Sequence, residues 1–258
     1  MVEQQKTDIK NEEEKELTPE DFSQDNQQNL EVFKEMMKSG LMYGHKKSKT
    51  NPRFRPYIYT TRNGIEIIDL AQTLPALESA IEFMKQQIKE GKLILLVASQ
   101  PAAKEAKENL GKKFNFPYIN EKWIGGLLTN FKVISQRIEY FKKIQADWEK
   151  GEFDKYTKKE RIMINRNIHR MKKMFTGLEN LTKLPDVIFI IDPSLKGHTT
   201  AVREARRMKI PIVAILDSDD DPTLITYPIP ANDHAKISID WLIDKIINSL
   251  KSFSNESK

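Results

Sequence analysis

Aspartates stand directly after two apolar runs, residues 187–191 and 212–216, that are typical of buried strands. They are Asp192 after the first run, and Asp217, Asp219, Asp220 and Asp221 after the second. Ligands of open α/β sheets bind beyond the carboxyl ends of the strands, and clustered carboxylates there can hold Mg²⁺ for phosphoryl chemistry. One hypothesis is therefore a metal-dependent phosphoryl-transfer enzyme that uses Asp192 and Asp217.

An ordinary loop explains the same aspartates. Asp is common in turns and helix caps, and Asp-Pro pairs occur at 192–193 and 221–222. No lysine, serine or histidine base stands at a recognised spacing from these acids. The four histidines, at 45, 169, 198 and 234, share no metal-ligand spacing. We favour the loop interpretation, which predicts no catalytic residue, no metal and no cofactor.

The motifs of common nucleotide-binding and hydrolytic sites are missing. The turn after the apolar run 93–98 reads SQPAAKEA and lacks the glycines that let a backbone approach phosphates. The chain contains no G-x-x-x-x-G-K-[ST], no G-x-S-x-G and no H-E-x-x-H. It has no cysteine, which excludes thiolate catalysis, disulfides and cysteine zinc sites. These absences argue against an enzyme.

A cationic stretch, residues 43–62, points to a polyanionic partner, and we call it the basic segment. Residues 37–64 contain seven Lys or Arg and no Asp or Glu. Phosphates attract such cations, while aromatic rings and guanidinium planes can stack on unpaired bases, so we favour RNA over a merely solvated surface. The candidate RNA-binding residues of this segment are Tyr43, His45, Lys46, Lys47, Lys49, Arg53, Arg55, Tyr57 and Arg62.

Charge is distributed unevenly along the chain. The net charge of +5 over 258 residues combines −6 in residues 1–30 with +11 in the remainder. Residues 1–29 contain almost no aliphatic side chains, so we expect an acidic disordered tail. No apolar run is long enough to cross a bilayer, and no signal core or Arg-rich transit pattern is present. We therefore expect a cytoplasmic protein.

Strand and helix patterns alternate along most of the chain. The predicted elements are a hairpin of 57–59 and 65–68 around Asn63-Gly64, a helix over 74–88 capped by Thr73, a strand at 93–98, a strand at 187–191, a helix over about 199–208, a strand at 212–216 and a helix over 239–250. Repeated strand-helix units predict a parallel sheet between layers of helices.

Two heptad patterns lie between these halves of the chain. They consist of Phe131, Ile134, Ile138, Phe141 and Trp148, and of Ile164, Ile168, Met171, Phe175 and Leu178. Helices with such narrow apolar seams, joined near Gly151, should form an antiparallel coiled-coil hairpin. We predict a tail at 1–29, an α/β core at 30–128 and 182–251, the inserted hairpin at 129–181 and a C-terminal tail at 252–258.

Several linked blocks resemble one known family. They are GLMYGHKKSKTNPRFRPYIYTTRNGIEIIDL at 40–70, PYINEKWIGGLLTNF at 117–131, LPDVIFIIDP at 184–193, AVREARRMKIPIVAILDSDDDP at 201–222 and IPAND at 229–233. In order and spacing, from about residue 30 to residue 250, the chain resembles the bacterial-type small-subunit ribosomal proteins conventionally numbered two. The resemblance implies a flavodoxin-like, three-layer α/β/α fold with a protruding helical hairpin.

The same resemblance implies a structural, non-catalytic role. The implied partners are small-subunit rRNA and other small-subunit proteins, including the large mRNA-binding ribosomal protein one, with no membrane and no homo-oligomer. Asn51 and Trp123 occupy family motif positions and join the candidate RNA-binding residues. Three positions depart from the usual pattern, since Met42 replaces a histidine, Lys46 a glutamine and Thr50 a tryptophan.

Overall fold

A parallel sheet forms the centre of the fold. The computed structural model describes the backbone of residues 24–256 and the side chains of residues 30–252. In chain order the strands are β1 (Tyr43–Lys46), β2 (Ile58–Arg62), β3 (Ile65–Ile68), β4 (Ile94–Val97), β5 (Tyr118–Ile119), β6 (Val187–Ile191), β7 (Ile212–Leu216) and β8 (Tyr227–Pro230). Within this described region, the first three strands form an antiparallel sheet and the last five form a parallel one.

The central strands are buried on both faces. β4, β6 and β7 consist of the apolar runs ILLV, VIFII and IVAIL, and every one of their residues is buried. Such runs have no polar side to turn toward water, which favours a sheet with helices on both faces. The register pairs Leu96 with Phe189 and Ile190 with Ala214. The predicted strands at 187–191 and 212–216 are confirmed, and β4 lies within the predicted run 93–98.

The described residues also form α-helices. They are α1 (Gln24–Lys38), α2 (Leu70–Lys89), α3 (Lys104–Phe114), α4 (Phe131–Glu149), α5 (Lys158–Phe175), α6 (His198–Arg207) and α7 (Lys236–Glu256). The prediction that Thr73 caps α2 is wrong, because Asp69 is the cap and accepts a hydrogen bond from the Ala71 N–H at 3.0 Å. Thr73 lies inside the helix, where its buried hydroxyl donates to the Pro230 carbonyl oxygen at 2.6 Å.

The strand order explains where a site can form. The parallel sheet has the order β5-β4-β6-β7-β8. If β4 is counted as the first strand, this is the order 2-1-3-4-5 of flavodoxin-like, doubly wound sheets. In such sheets, the loops that follow the carboxyl ends of the strands form the crevice for ligands. The loops that follow β6 and β7 therefore lie side by side, as the aspartate pattern predicted.

The helices α4 and α5 pack against each other, and we call them the helical pair. The rings of Phe141 and Phe175 lie 6.0 Å apart between centroids. Ile134, Ile138 and Ile144 of α4 and Ile168 and Met171 of α5 are also buried. A capping box begins α5, in which Thr157 and Glu160 satisfy each other's backbone N–H groups. Most positions of the heptad patterns are thus buried, whereas Phe131, Trp148 and Ile164 are only partly buried.

The ends of the described chain differ from the predicted boundaries. α1 begins at Gln24, inside the segment predicted to be a tail, and α7 continues to Glu256. The rest of the predicted acidic tail, residues 1–23, lies outside the described residues, as do residues 257–258. The chain divides after Glu35 into two units, and Met36 begins the unit that contains the sheets. None of the described helices is long and apolar enough to span a membrane.

Candidate nucleic-acid interface

The basic segment is an ordered ribbon rather than an extended loop. β1 leads into a 3₁₀ turn at Lys47–Lys49, a second 3₁₀ turn spans Pro52–Tyr57, and β2 follows directly. The Asn51 side chain starts the second turn by accepting the Arg53 N–H at 3.0 Å. The predicted hairpin turn is confirmed, because Asn63 and Gly64 adopt φ values of 52° and 76°. The pairing of β1 with β3 was not predicted, because the four residues YGHK show no alternation of apolar and polar side chains.

The inner edge of the basic segment is fixed to the loop after β7. The His45 N–H donates to Ser218 Oγ at 2.8 Å, and the Asn51 N–H donates to the Ser218 carbonyl oxygen at 2.8 Å. Gly44 permits this approach. A Cβ at that position would lie 2.9 Å from both Asp217 Oδ1 and Ser218 Oγ and 3.2 Å from the Glu66 carbonyl oxygen, so another residue would require these groups to shift.

The outer side of the basic segment carries exposed cations. The Lys and Arg residues are Lys46, Lys47, Lys49, Arg53, Arg55 and Arg62, and all are exposed. Within residues 30–252, Arg53 is the one member of this set that forms an ion pair, with Asp221 at 2.5 Å. Tyr43 and Tyr59 are exposed beside these cations, Tyr59 to 75%. The segment therefore presents positive charge and aromatic rings on one scaffold.

Some predicted RNA-binding residues face the protein interior instead. Trp123 is only 5% exposed, so its indole cannot stack on a base, and its Nε1–H donates to Glu204 Oε1 at 3.1 Å. Tyr57 is half-buried against the fully buried ring of Phe54, at 5.4 Å between centroids. The Asn51 side chain accepts the Arg53 N–H, and the His45 ring hydrogen bonds to Asp217, 172 residues away in the chain. The structure thus buries Trp123, whereas Tyr57, Asn51 and His45 are only partly buried.

Glu204 is a buried carboxylate that sequence reasoning missed. It accepts hydrogen bonds from Trp123 Nε1, the Gly126 N–H at 2.8 Å and the Leu128 N–H at 3.1 Å, with Thr129 at 3.4 Å. These donors belong to the loop that leads into α4. A sequence signal existed, since Glu204 lies on the same face of α6 as the buried Ala201 and Ala205.

Aspartates after β6, β7 and β8 form a compact group with two histidines. We call Asp192, Asp217, Asp219, Asp220, Asp233, His45 and His234 the strand-end cluster. His45 Nδ1 lies 2.8 Å from Asp217 Oδ2 and 3.3 Å from Asp219 Oδ1. The hydrogen bond to Asp217 raises the pKa of His45 above its usual range. The imidazole rings of His45 and His234 meet edge to face at 4.7 Å.

A carboxyl pair lies beneath these histidines. Asp220 and Asp233 are 2% and 0% exposed, and Asp220 Oδ1 and Asp233 Oδ2 have no hydrogen-bond partner among the described residues. Burial, together with the neighbouring Asp233, raises the pKa of Asp220 to about 9. Burial and the surrounding aspartates also raise the pKa of Asp233. Because the folded-state pKa of Asp220 lies above neutral pH, this carboxyl group retains its proton at pH 7.

The strand-end cluster has the ligand types of a divalent cation site. Two overlapping sets, His45 with Asp217 and His234, and Asp192 with Asp233 and His234, have ligand atoms within 4.8 Å of one another. No spacing in the sequence suggested these sets. Several cluster carboxylates also have turn-forming partners, since Asp192 Oδ1 accepts the Leu195 N–H at 3.0 Å. The loop interpretation and the capacity to hold a cation are therefore compatible.

The retained proton leads to a prediction about pH. The folded-state pKa of Asp220, about 9, is far above the unfolded value of about 3.9. Between these values the folded state binds more protons, so this group makes the free energy of unfolding fall as pH rises. We expect Asp220→Asn to flatten this dependence and to be more stable than the wild type at pH 9.

Urea unfolding at pH 5, 7 and 9, in buffer with a chelator, measures this effect. Asp221→Asn is the matched control, because Thr223 and Arg53 lower the pKa of Asp221 despite its partial burial. That carboxylate is ionised in both states over this range, so its replacement should leave the slope unchanged. Identical slopes for Asp220→Asn and the wild type would contradict the prediction.

Two further buried polar side chains connect the strand ends. Lys107 Nζ donates to the carbonyl oxygens of Ala98 and Ile119, each at 2.7 Å, and burial lowers its pKa to about 8. His198 Nδ1–H donates to the Asp192 carbonyl oxygen at 2.7 Å, so Nε2 accepts from Ser99 Oγ at 2.9 Å. Burial lowers the pKa of His198, which keeps the ring neutral. Both residues join loops instead of facing a substrate.

Fold and site together define a class of protein. It is a doubly wound α/β protein with a helical pair and an exposed basic segment, and its strand ends are tied by structural hydrogen bonds. The family model described as Ribosomal protein S2 matches residues 36–252, most of the chain. The chain therefore belongs to the ribosomal protein S2 family, whose members are structural and not enzymatic. The phosphoryl-transfer hypothesis is wrong.

Proteins named small ribosomal subunit protein uS2, from several bacteria, are similar to this chain. The chain is 42% identical to the small ribosomal subunit protein uS2 of Dictyoglomus thermophilum over 219 residues, which cover 85% of this chain and 88% of that protein. It is 38% identical to uS2 of Coprothermobacter proteolyticus over 85% of this chain and 81% of the relative. For uS2 of Thermus thermophilus the identity is 38%, over 84% of each chain.

Proposed function

We propose that this protein is a structural constituent of the small ribosomal subunit in the cytoplasm and binds small-subunit rRNA through the basic segment. The observation that carries the proposal is the arrangement of that segment. Its inner edge is fixed to the loop after β7, while Lys46, Lys47, Lys49, Arg55 and Arg62 are exposed and form no ion pair with residues 30–252. Because the backbone is already fixed, it loses little further conformational entropy when its cations meet phosphates.

Aromatic side chains add a second kind of contact to this surface. Tyr43 and Tyr59 are exposed among the cations, and exposed rings can stack on unpaired RNA bases. Arg53 joins the surface with its orientation already set by Asp221. In this proposal, His45, Asn51, Tyr57 and Trp123 act from within the protein by holding the segment and the neighbouring loop in place.

The helical pair is proposed as a second contact surface. We infer that residues 129–181 form an inserted antiparallel coiled-coil hairpin that projects from the core at 30–128 and 182–251. α5 carries seven cations and one acid, Glu160. Arg166 and Arg170 line an open groove of about 480 Å³ together with Met163 and Asn167. This composition supports contact with RNA or with acidic surfaces of neighbouring subunit proteins.

Protein partners follow from the same proposal. A small-subunit protein meets other small-subunit proteins, and we propose that the large mRNA-binding ribosomal protein one docks on this chain. The support for that partner is the family resemblance of the sequence blocks. We also propose that the chain acts as one copy per subunit and without a membrane.

Gradient sedimentation tests the proposed location. We expect the tagged full-length chain to migrate with small subunits from its own cells, and to stay with them after a wash in moderate salt. The proposal would be contradicted if the protein remained at the top of the gradient both without the wash and after the wash in moderate salt. A wash in high salt is the control, because screening should release a protein held mainly by phosphate contacts.

A further inference from the structure

The outer side of α6, with the turn that follows it, carries cations without counter-ions. Arg206, Arg207 and Lys209 are exposed there, and we call them the α6 strip. None of the three forms an ion pair or a side-chain hydrogen bond with the described residues. The single acid of α6, Glu204, is buried and accepts hydrogen bonds from the loop that leads into α4. The positive charge of the strip is therefore available at the surface.

Other helices of the protein balance their exposed charges. Lys112 Nζ of α3 lies 3.5 Å from Glu108 Oε2 of the same helix. Lys236 Nζ of α7 lies 2.5 Å from Glu105 Oε2 of α3. A helix that only faces solvent can alternate the two signs of charge in this way. Three neighbouring cations without an acid indicate instead that the partner of the α6 strip is an anionic molecule.

The α6 strip lies beside the basic segment in space. Arg206 and Lys209 border a groove of about 380 Å³ that has no acid in its lining. Thr223 borders the same groove, and its Oγ1 accepts a hydrogen bond from Arg53 Nη1 of the basic segment at 3.3 Å. Asp221, which pairs with Arg53, does not line the groove. The strip therefore continues the cationic surface that begins at the basic segment.

One hydrophobic cluster supports all the cationic surfaces of the protein described above. Its buried members include Phe54 of the basic segment, Ile138 of the helical pair and Ala205 of α6. From β6 it takes the alternate residues Ile188 and Ile190, which point to one face of the sheet. Within the described residues, α2, α3 and α7 contribute no member to this cluster. The α6 strip, the basic segment and the helical pair thus lie on the same face.

The side chains around the α6 strip favour RNA over an acidic protein. Protein interfaces centre on aromatic or aliphatic anchors, whereas the exposed apolar side chain beside the strip is Met208 alone, at 39%. The planar fork of an arginine can bind a phosphate through two hydrogen bonds. The strip has no aromatic ring that could stack on an unpaired base. Its chemistry therefore suits a duplex, which proteins recognise mostly through its backbone and shape.

We infer that the α6 strip binds the phosphate backbone of double-stranded RNA, next to the unpaired bases that the basic segment is proposed to contact. This inference rests on the proposed rRNA binding and adds to it a second surface with its own kind of RNA. The protein then holds a junction between a duplex and a single strand on one face.

Two labelled RNA probes test the inference, a duplex of 16 base pairs and a strand of 16 uridines. Fluorescence anisotropy measures their binding to the full-length chain over a series of salt concentrations. Combined Arg206→Gln, Arg207→Gln and Lys209→Gln should weaken the duplex by about tenfold or more at low salt, and the uridine strand by less than about twofold. The salt slope for the duplex should become shallower by about 2–3. An unchanged affinity for the duplex, or equal losses for the two probes, would overturn the inference.

A second triple variant separates the α6 strip from net charge. Combined Lys89→Gln, Lys113→Gln and Lys251→Gln removes three exposed charges from helices outside the cluster. It should change the affinity for the duplex by less than about twofold. Equal losses from the two triple variants would contradict a local contact. The strip residues are exposed, so we expect their variant to fold, and Arg206→Gln alone, with a loss of about threefold, repeats the test with a smaller change.

The outcomes also distinguish this inference from the proposed function. If the strip variant binds the duplex and small-subunit rRNA like the wild type but no longer migrates with small subunits, the strip contacts a protein. The inference is then overturned and rRNA binding stands. If the wild type binds neither the duplex nor small-subunit rRNA, both the inference and the proposed function fail.

Discussion

Replacement of Glu204 by alanine is expected to lower the free energy of unfolding by about 3–5 kcal/mol. The substitution removes the acceptor for Trp123 Nε1 and for the Gly126 and Leu128 N–H groups. These donors are buried or partly buried, so water cannot replace the carboxylate at full strength. Urea unfolding followed by circular dichroism measures the change.

Two variants make this result interpretable. Glu204→Gln has nearly the same shape but turns an NH₂ group toward backbone donors, so we expect an intermediate loss. Arg207→Ala alters the exposed side of the same helix and should change the stability by less than about 0.5 kcal/mol. A loss below about 1 kcal/mol for Glu204→Ala would show that the loop finds other acceptors.

Reversal of Lys47, Lys49 and Arg55 to glutamate is expected to weaken binding to small-subunit rRNA by about 100-fold at low salt. Each lost phosphate contact removes on the order of 1 kcal/mol, and tenfold in affinity corresponds to about 1.4 kcal/mol. These three residues are exposed and form no ion pair with residues 30–252, so their charge is available to phosphates. Filter binding over a series of salt concentrations measures both the affinity and its salt dependence.

A control with the same change in net charge separates local contacts from global repulsion. Lys89, Lys113 and Lys251 are exposed on α2, α3 and α7, outside the basic segment. Their reversal to glutamate should weaken binding far less. The slope of log affinity against log salt should become shallower by about 2–3 for the first triple variant and by little for the second. Equal losses would mean that total charge, not the segment, governs binding.

The structure shows which of the predicted RNA-binding residues are already paired or buried within the protein. The sequence placed Arg53 with the other cations, but the structure pairs it with Asp221. It also placed Trp123 among the residues that face RNA, whereas the indole is buried and bound to Glu204. A cation count cannot reveal which charges are already neutralised, because the partner lies 168 residues away in the chain.

Side-chain periodicity determined the strands β6 and β7 and the apolar rows of the helical pair. The dipeptide Asn63-Gly64 determined the hairpin turn. These features depend on residues that are close in sequence, where side-chain spacing and turn chemistry act directly. The basic segment could also be found from the sequence, because a run of residues without Asp or Glu can be recognised without knowledge of the fold. It also placed aspartates after two neighbouring strands.

Only the tertiary structure decided how these parts meet. It brought His45 and His234 from opposite ends of the chain into contact at 4.7 Å, fixed the basic segment to Ser218, and placed Glu204 beneath the loop that leads into α4. It also formed a cavity of about 260 Å³ between α6 and the loops that follow β6 and β7. The physical reason is that hydrogen bonds, burial and shared protons depend on distances in space. A single sequence specifies those distances only through the packing of the whole fold.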